Sequence, residues 1–564
     1  MTLQLANRWL KNCAINHEEC SEGFLSGFMP SRLIDIGLDG AISPKLIETS
    51  SMISPQRYLS LSHCWGGKVP LSLCHDSLAG MREEISYGDL PKTFQHALIV
   101  TRQLGCQYVW IDSLCIIQDS HEDWVKESDR MRQVYSNSFC NIAASAAENS
   151  SEGLFFDRYP GSIMPLRISI NGSGYLIDPP FAGMHMVDQA PLSRRGWVFQ
   201  ERLLSPRILH FTASQVFWEC RSYCACETYP SAYPMGSIPF MSPLRRINPA
   251  QDGLRIRRRD GGGIFNTSPD TFLDQFALWN MIIANYSRCS LTQHTDRLVA
   301  MSGIAAKFQE VSNDNVNDYL AGMWRKQLPY SLTWQALGKN SRPAAYTAPT
   351  WSWASITGLV KRKSLTNSQR QQLVKITAGF VEPAGSNKFG QVNSGFVTLK
   401  GSLMAMPLSI CQSKELAMPC LGCQENLETI SLPFTLDVSR PHIDRVAEAR
   451  QRLHFPVSWA RSLTNVYVDI DLEYPSVYGV PISAHRLGER REVEGLLLEA
   501  TRNIGEFRRV GTFSYTIWQD MRGGFPDQCL DAFRLFDSQA TRLGLTSVPT
   551  DHLDYDLWYT IKII

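Results

Sequence analysis

The sequence predicts an α/β N-terminal half built on an open, mostly parallel sheet with flanking helices, followed by a helical segment and a strand-rich C-terminal region. Three observations carry this reading. Between Arg32 and about Arg158, short apolar runs alternate with helical patterns, the order in which parallel βαβ units are built. From Thr271 to Leu337 helices dominate, with Phe272, Phe276, Trp279, Ile283 and Tyr286 on one face. Beyond Trp351-Ser352-Trp353, segments such as Phe396–Gly401 and Val466–Ile470 alternate apolar and polar residues, as half-buried antiparallel strands do. At 564 residues the chain exceeds one compact core. The expected division is an N-terminal helix and tether (1–30), the α/β domain (31–225), a Pro/Gly/Arg-rich linker or loop (226–270), a helical segment (271–340) and the strand-rich region (341–564).

The elements follow in order. Trp9, Leu10 and Cys13 share one side of a short N-terminal helix. Tyr58–Ser62 is a short strand closed by Gly66-Gly67. Pro91 opens a helix, where its missing N–H is harmless. Phe94, Ala97, Leu98, Thr101 and Leu104 line one face of that helix, and Gly105 ends it. Gln107–Ile111 is near-continuously apolar, as a strand covered on both faces should be. Ser120-His121-Glu122-Asp123 resembles a capping box with Asp in place of Glu or Gln, and Trp124, Met131, Val134 and Tyr135 form the buried face of the helix it opens. Asn141–Ser145 is a third strand. After a less regular stretch (159–190), Arg195–Arg207 reads as a short amphipathic helix that buries Trp197, Val198 and Leu204 and turns its polar side, with Glu201, outward. Leu209–Cys220 then reads as one strand. Arg255–Arg259 and Gly261–Gly263 mark a solvated, mobile loop or linker.

Composition narrows the function classes. A net charge of +1 gives no reason to expect nucleic acid or an acidic membrane surface as the main partner. No stretch approaches the roughly 20 apolar residues that span a bilayer. Met1–Cys13 lacks the pattern of a signal peptide, so the cytosol is the expected compartment. The 15 cysteines are an odd number and scattered, which suits reduced thiols. Cys220, Cys224 and Cys226 cluster, and Cys420-Leu421-Gly422-Cys423 has CxxC spacing, but these sets are far apart and unmatched, so no metal is expected. No GxxxxGK[ST] or GxGxxG fingerprint occurs.

In an open α/β sheet, ligands bind beyond the carboxyl ends of the parallel strands. Ser62-His63-Cys64-Trp65-Gly66 follows the first strand, Asp112-Ser113 ends the second, and the helix of Trp197 and Glu201 belongs to the same domain. Asp112 either caps the following turn or contacts a substrate. Trp65 and Gly66 either wall a pocket or serve packing and turn. Glu201 either acts chemically or pairs with Arg202 or Arg207. His63 and Cys64, adjacent on extended chain, point to opposite faces and make a poor base–nucleophile pair. Nothing selects His185 or His210 in their place.

Arg57–Gly66, Leu90–Thr93, Tyr108–Ile116 and Arg195–Arg207, with Gly153-Leu154-Phe155 and Gln215–Cys220, together resemble the fungal heterokaryon-incompatibility (HET) domain. Tyr319–Trp324 and Ala348–Ala354 resemble the C-terminal portion common in fungal proteins of that family. The HET domain is in turn distantly similar to the Toll/interleukin-1 receptor (TIR) domain. Leu59–Ser62 is similar to the first TIR strand and Trp110–Ser113 to the second. Trp197 and Glu201 reproduce the Trp-to-Glu spacing of the helix that carries the TIR catalytic glutamate, although Val198 stands where that motif has cysteine. The resemblance implies a TIR-like fold and a role in non-self recognition between fusing fungal cells that ends in programmed cell death. It further implies cleavage of NAD, as substrate, at the nicotinamide–ribose bond. Glu201 would be the catalytic carboxylate, with Asp112, Ser113, Trp65, Gly66 and Trp197 around the substrate and no metal or other cofactor. The alternative is a non-catalytic signalling module that assembles with itself or with another HET or TIR-like partner. In either case the C-terminal region would be regulatory or recognitive.

Overall fold

The computed structural model of the protein describes residues 2–232 and 272–564, apart from 22–26, 38–42, 68–70, 178–182, 184, 338–339, 362–369, 408–428, 434–451, 457–462, 469–475, 488–489, 504, 519–546 and 549–557. The Arg255–Gly263 stretch and the Cys420–Cys423 pair lie outside the described residues. The chain divides into two compact units. The first comprises Met1–Thr271, Cys289–Leu291 and Val299–Asn313, and the second comprises the remainder.

The first unit opens with helix α1 (Thr2–Asn16), whose Ala6, Trp9, Leu10 and Cys13 are buried in the unit's main core. Strands β1 (Arg32–Asp35), β2 (Lys45–Glu48) and β3 (Tyr58–Ser62) follow, then helices α2 (His75–Glu83) and α3 (Lys92–Gln103). Next come β4 (Tyr108–Ile111), the single turn α4 (Asp112–Cys115), α5 (His121–Asn137) and β5 (Cys140–Ala143). The hairpin β6 (Leu166–Ile170) and β7 (Ser173–Ile177) precedes α6 (His185–Gln189) and α7 (Gly196–Leu204). Strands β8 (Arg207–Phe211), β9 (Val216–Cys220) and β10 (Cys224–Cys226) complete the order.

Eight strands form one mixed sheet in the order β10-β9-β8-β5-β3-β4-β1-β2. The central four, β8, β5, β3 and β4, are mutually parallel, and both flanks are antiparallel. Numbered by their own succession, the parallel strands run 2-1-3-4, the order of a doubly wound sheet whose direction of winding reverses between β3 and β5. The reversal matters for function, because crossovers on its two sides leave in opposite directions and open a crevice at the strands' carboxyl ends. Helix α5 packs with α7 and with the helix Val299–Ser312, whereas α3 packs with α1.

Two sequence expectations need correction. Leu209–Cys220 is two antiparallel strands, because Thr212 Oγ1 and N–H close a turn with Gln215 and fold β9 back on β8. The turn contains neither Gly nor Pro, so the apolar run reads as continuous. Helix α7 does not present a polar side to solvent, since Gln200, Glu201 and Arg202 are all buried. Each polar side chain on it meets a distant segment; Gln200 Oε1, for one, accepts the Gly303 N–H at 2.8 Å. At α5, Ser120 Oγ accepts the Asp123 N–H at 3.2 Å, but the Asp123 carboxylate turns to Arg32 at 2.6 Å.

The second unit is strand-rich. Ten strands form its main sheet, with Arg370–Gln372, Ser476–Leu487, Arg490–Ala500, Glu506–Trp518, Trp558–Ile563, Val392–Gly401 and Lys375–Pro383 as the continuous path. Neighbours on that path are antiparallel except Glu506–Trp518 with Trp558–Ile563. The two tryptophan-bearing motifs of this unit meet at one carbonyl. Gly322 O accepts both the Trp279 indole at 3.0 Å and the Trp353 indole at 2.9 Å. Gly322 has φ +91, and a Cβ there would stand 2.6 Å from Trp353 Nε1. Buried Arg509 lies 3.6 Å over the Trp334 ring. These contacts account for both motifs as packing.

Candidate functional site

The carboxyl end of β3 is the centre of the site. A parallel strand covered on both faces should be apolar throughout, so Ser60 and Ser62 on β3 and Asn141 on β5 must find partners inside. Ser60 Oγ reaches Asn141 Oδ1 at 3.0 Å, and Asn141 Nδ2 donates to Ser62 Oγ at 2.9 Å. Ser62 passes the chain onward, donating its hydroxyl to Glu201 Oε2 on α7. Tyr135 from α5 lies close enough to Glu201 to favour its carboxylate form. The crossover through α7 therefore delivers one carboxyl group to the end of β3, where the winding reverses.

Glu201 is 5% exposed. Among the described residues no Lys, Arg or His side chain lies within ion-pair distance of it. Burial raises it to about 7, opposed by the Ser62 hydrogen bond and the Arg195 charge and reinforced by the Asp112 charge. It therefore exchanges a proton near neutrality, the property an acid–base group needs.

Beyond the ends of β3 and β4 stand His63, Trp65 and Asp112, of which Asp112 is close enough to act on Glu201 through its charge. Asp112 Oδ1 accepts the Ser113 N–H at 2.8 Å, and Oδ2 accepts the Trp65 indole N–H at 3.1 Å. Asp112, the first residue of α4, thus holds the next backbone N–H and clamps Trp65 at once. His63 Nδ1 lies 3.7 Å from Asp112 Oδ1, and neither ring nitrogen has a hydrogen-bond partner among the described residues. Its ring lies between Trp65, nearly parallel at 6.5 Å, and the edge of Phe94 at 4.9 Å. Burial pushes His63 down to about 4, so it is neutral at neutral pH. The Arg195 guanidinium donates to the His63 carbonyl, tying the start of α7 to the end of β3.

The remaining candidates fall as follows. Ser113 is buried beside Asp112, and its hydroxyl has no hydrogen-bond partner among the described residues. Gly66 has φ +71, and a Cβ there would lie 2.2 Å from Asn149 Cβ, so its role is close approach to the loop after β5. Trp197 is partly buried and packs against the main core. Cys64 lies apart from His63 in a small cluster with Ala143, Leu192, Val198 and Ile208, and burial raises its thiol. His210 is held by Glu219 at 3.0 Å and Ser145 at 3.3 Å. Arg202 does not pair with Glu201; it binds Glu219 at 2.9 Å and Asp188 at 2.7 Å. A cavity of about 410 Å³ lined by Ser31, Arg32, Glu48, Thr49, Lys126 and Arg130 includes none of these residues.

Ser62, Tyr135, Asn141 and Arg195 are absent from the sequence-derived set. The signal for the first and third was available, because polar residues in a strand that must be buried on both faces demand internal partners. Tyr135 was placed only on a buried helix face.

The segments singled out in the sequence also converge. Thr93, from Leu90–Thr93, accepts the Gly153 N–H at 3.1 Å through its hydroxyl and donates its own N–H to Ser150 O at 2.9 Å. Residues 58–201, from the first residue of β3 to Glu201 itself, match the family model described as heterokaryon incompatibility protein (HET). No curated protein and no solved structure matches the chain. With its family match ending on the buried carboxylate of α7, the chain is a HET domain-containing protein.

Proposed function

We propose that this HET domain is an NAD-cleaving effector of heterokaryon incompatibility, with Glu201 as its catalytic carboxylate. The observation that supports this is Glu201 itself, a buried acid at the carboxyl end of β3 with the Ser62 hydroxyl on its carboxylate and, among the described residues, no cation within ion-pair distance. Breaking the nicotinamide–ribose bond of NAD expels neutral nicotinamide and develops positive charge on the ribose. An ionised Glu201 stabilises that charge and takes the proton of the attacking water, giving ADP-ribose, nicotinamide and a proton. Ser62 and Tyr135 hold the carboxylate and tune its proton affinity, and Asp112 fixes Trp65 as a flat wall. The cell-level consequence is NAD loss and death of fused fungal cells that carry incompatible alleles.

The test is nicotinamide release by the purified full chain, alone and fused to a dimerising domain, beside Glu201→Gln. Turnover that falls roughly 10²-fold or more in the variant is expected, the scale of losing a positioned acid–base group. A folded, assembled parent with no turnover above background would overturn the reading in favour of a non-catalytic module that assembles with itself or a HET-domain partner. Equal turnover in both proteins would keep an enzyme and remove Glu201 from its mechanism.

A further inference from the structure

A second cluster of reactive side chains lies outside the family-matched segment. The last turn of α1 and the 3-10 turn after it, Glu18–Cys20, present Cys13, His17 and Cys20 in a C-x3-H-x2-C spacing. Cys220, at the end of β9, meets them from across the sequence. Their four ligand atoms, three Sγ and one imidazole nitrogen, all lie within 4.8 Å of one another. The three cysteines are buried and free, and the histidine is half-buried.

We propose that Cys13, His17, Cys20 and Cys220 form a structural zinc site that clamps the N-terminal helix to the β9–β10 turn. Three thiolates and an imidazole make a closed tetrahedral set of the kind that selects Zn²⁺ for structure, leaving no open position for substrate. Two such ligands on one zinc stand ~3.5–3.8 Å apart, as follows from bonds of ~2.0–2.3 Å. Cys220 Sγ and His17 Nδ1 are 3.6 Å apart. The site also carries an outer shell of the kind that orients ligands. The Tyr223 N–H donates to Cys220 Sγ at 3.4 Å while Cys220 N–H donates to Tyr223 O at 3.0 Å, a tight turn closed on a sulfur. The buried Arg207 Nε donates to Cys13 Sγ at 3.2 Å. Three thiolates around Zn²⁺ leave one net negative charge, and the Arg207 guanidinium offsets it. Arg221 donates to Glu19 O at 2.6 Å, and the His17 ring meets Tyr223 edge-on at 5.2 Å, so both sides of the clamp are already docked. Cys224 and Cys226 belong to a separate small cluster with Val187 and Phe217 and take no part.

The experiment uses the full chain purified with zinc and then dialysed. Bound zinc is expected at about one equivalent, and Co²⁺ added alone to the metal-free chain should give the charge-transfer and d–d bands of a tetrahedral thiolate site. Cys220→Ser and His17→Ala should lose the metal, and Cys224→Ser should keep it. Should the first two variants fail to fold, the unmodified chain still decides the question. Alkylation of Cys13, Cys20 and Cys220, mapped by mass spectrometry, should be slow until a chelator is added. Alkylation indifferent to the chelator, a disulfide among the three cysteines, or full zinc retention by Cys220→Ser would each overturn the proposal.

Discussion

Glu219 and Glu201 are both buried acids of the first unit, 0% and 5% exposed, yet their surroundings are opposite. Glu219 receives Arg202 at 2.9 Å and His210 at 3.0 Å, and Arg202 is shared with Asp188. Glu201, one residue before Arg202 on α7, receives the Ser62 hydroxyl and, among the described residues, no cation. A buried charge matched by a cation is fixed, and it stabilises one arrangement of helix against sheet. A buried charge matched only by dipoles remains free to change its protonation. Two neighbouring residues on one helix thus sit in opposite electrostatic settings, Arg202 among carboxylates and Glu201 beside a hydroxyl.

The comparison breaks most visibly at Arg202. Arg202→Met should destabilise the first unit by roughly 3–5 kcal/mol, because Glu219 is left buried without its guanidinium. Denaturant unfolding followed through the tryptophans checks this, and a change within error would mean that Glu219 is not held by Arg202.

The next effect is a slope. Glu201 is raised from 4.5 to about 7, so between those values the folded state holds a proton that the unfolded state has lost, and stability falls as pH rises through this window. His63 is lowered from 6.5 to about 4, so between those values the unfolded state holds the extra proton and stability rises with pH. Each contribution reaches about 3 kcal/mol at full extent, and the two oppose each other where the windows overlap. Relative to the parent, Glu201→Gln should therefore tilt the stability profile upward with pH and His63→Asn should tilt it downward. Parallel profiles in all three proteins would show that neither group is perturbed by burial.

Smaller effects sharpen the picture. Gly66→Ala should cost roughly 1–3 kcal/mol through strain at φ +71 and the clash with Asn149. A melting temperature equal to the parent's would mean that this loop yields freely. Ser62→Ala should cost about 1 kcal/mol and move the Glu201 titration further upward, because the lost hydrogen bond favoured the carboxylate. Infrared or NMR titration of that carboxyl group reads the direction, and a downward shift would contradict the assignment of Ser62 as donor.

Much of the parallel sheet was legible. The strand at Tyr58–Ser62 and the helix opened by Pro91 and ended near Gly105 stand where composition and punctuation put them. These signals are local, arising from β-rich runs, a proline with no N–H and a glycine at φ +76. What escaped depends on partners far along the chain. Gln200, Glu201 and Arg202 read as a solvent face because Gly303, Ser62 and Glu219 lie outside any helical window. The cluster of Cys13, His17, Cys20 and Cys220 escaped in part for the same reason: its C-x3-H-x2-C segment is local, but Cys220 lies 203 residues from His17. The antiparallel flanks β1, β2 and β10 escaped because strands of three or four residues are too short to show a period, and β9 reads as one run with β8.

The Ser62–Glu201 hydrogen bond joins residues 139 positions apart, and α7 is further braced by Gly303. A contact of that span forms late, after the closure entropy of the intervening loops has been met by the sheet between them. During synthesis β3, β4 and β5 can pair before α7 emerges, while the brace at Gly303 comes about a hundred residues later. The buried setting of the carboxyl group at the strand ends is therefore completed only after the chain has passed Gly303. On the proposed reading, the order of assembly itself would withhold the activity until the helix at Gly303 has been made.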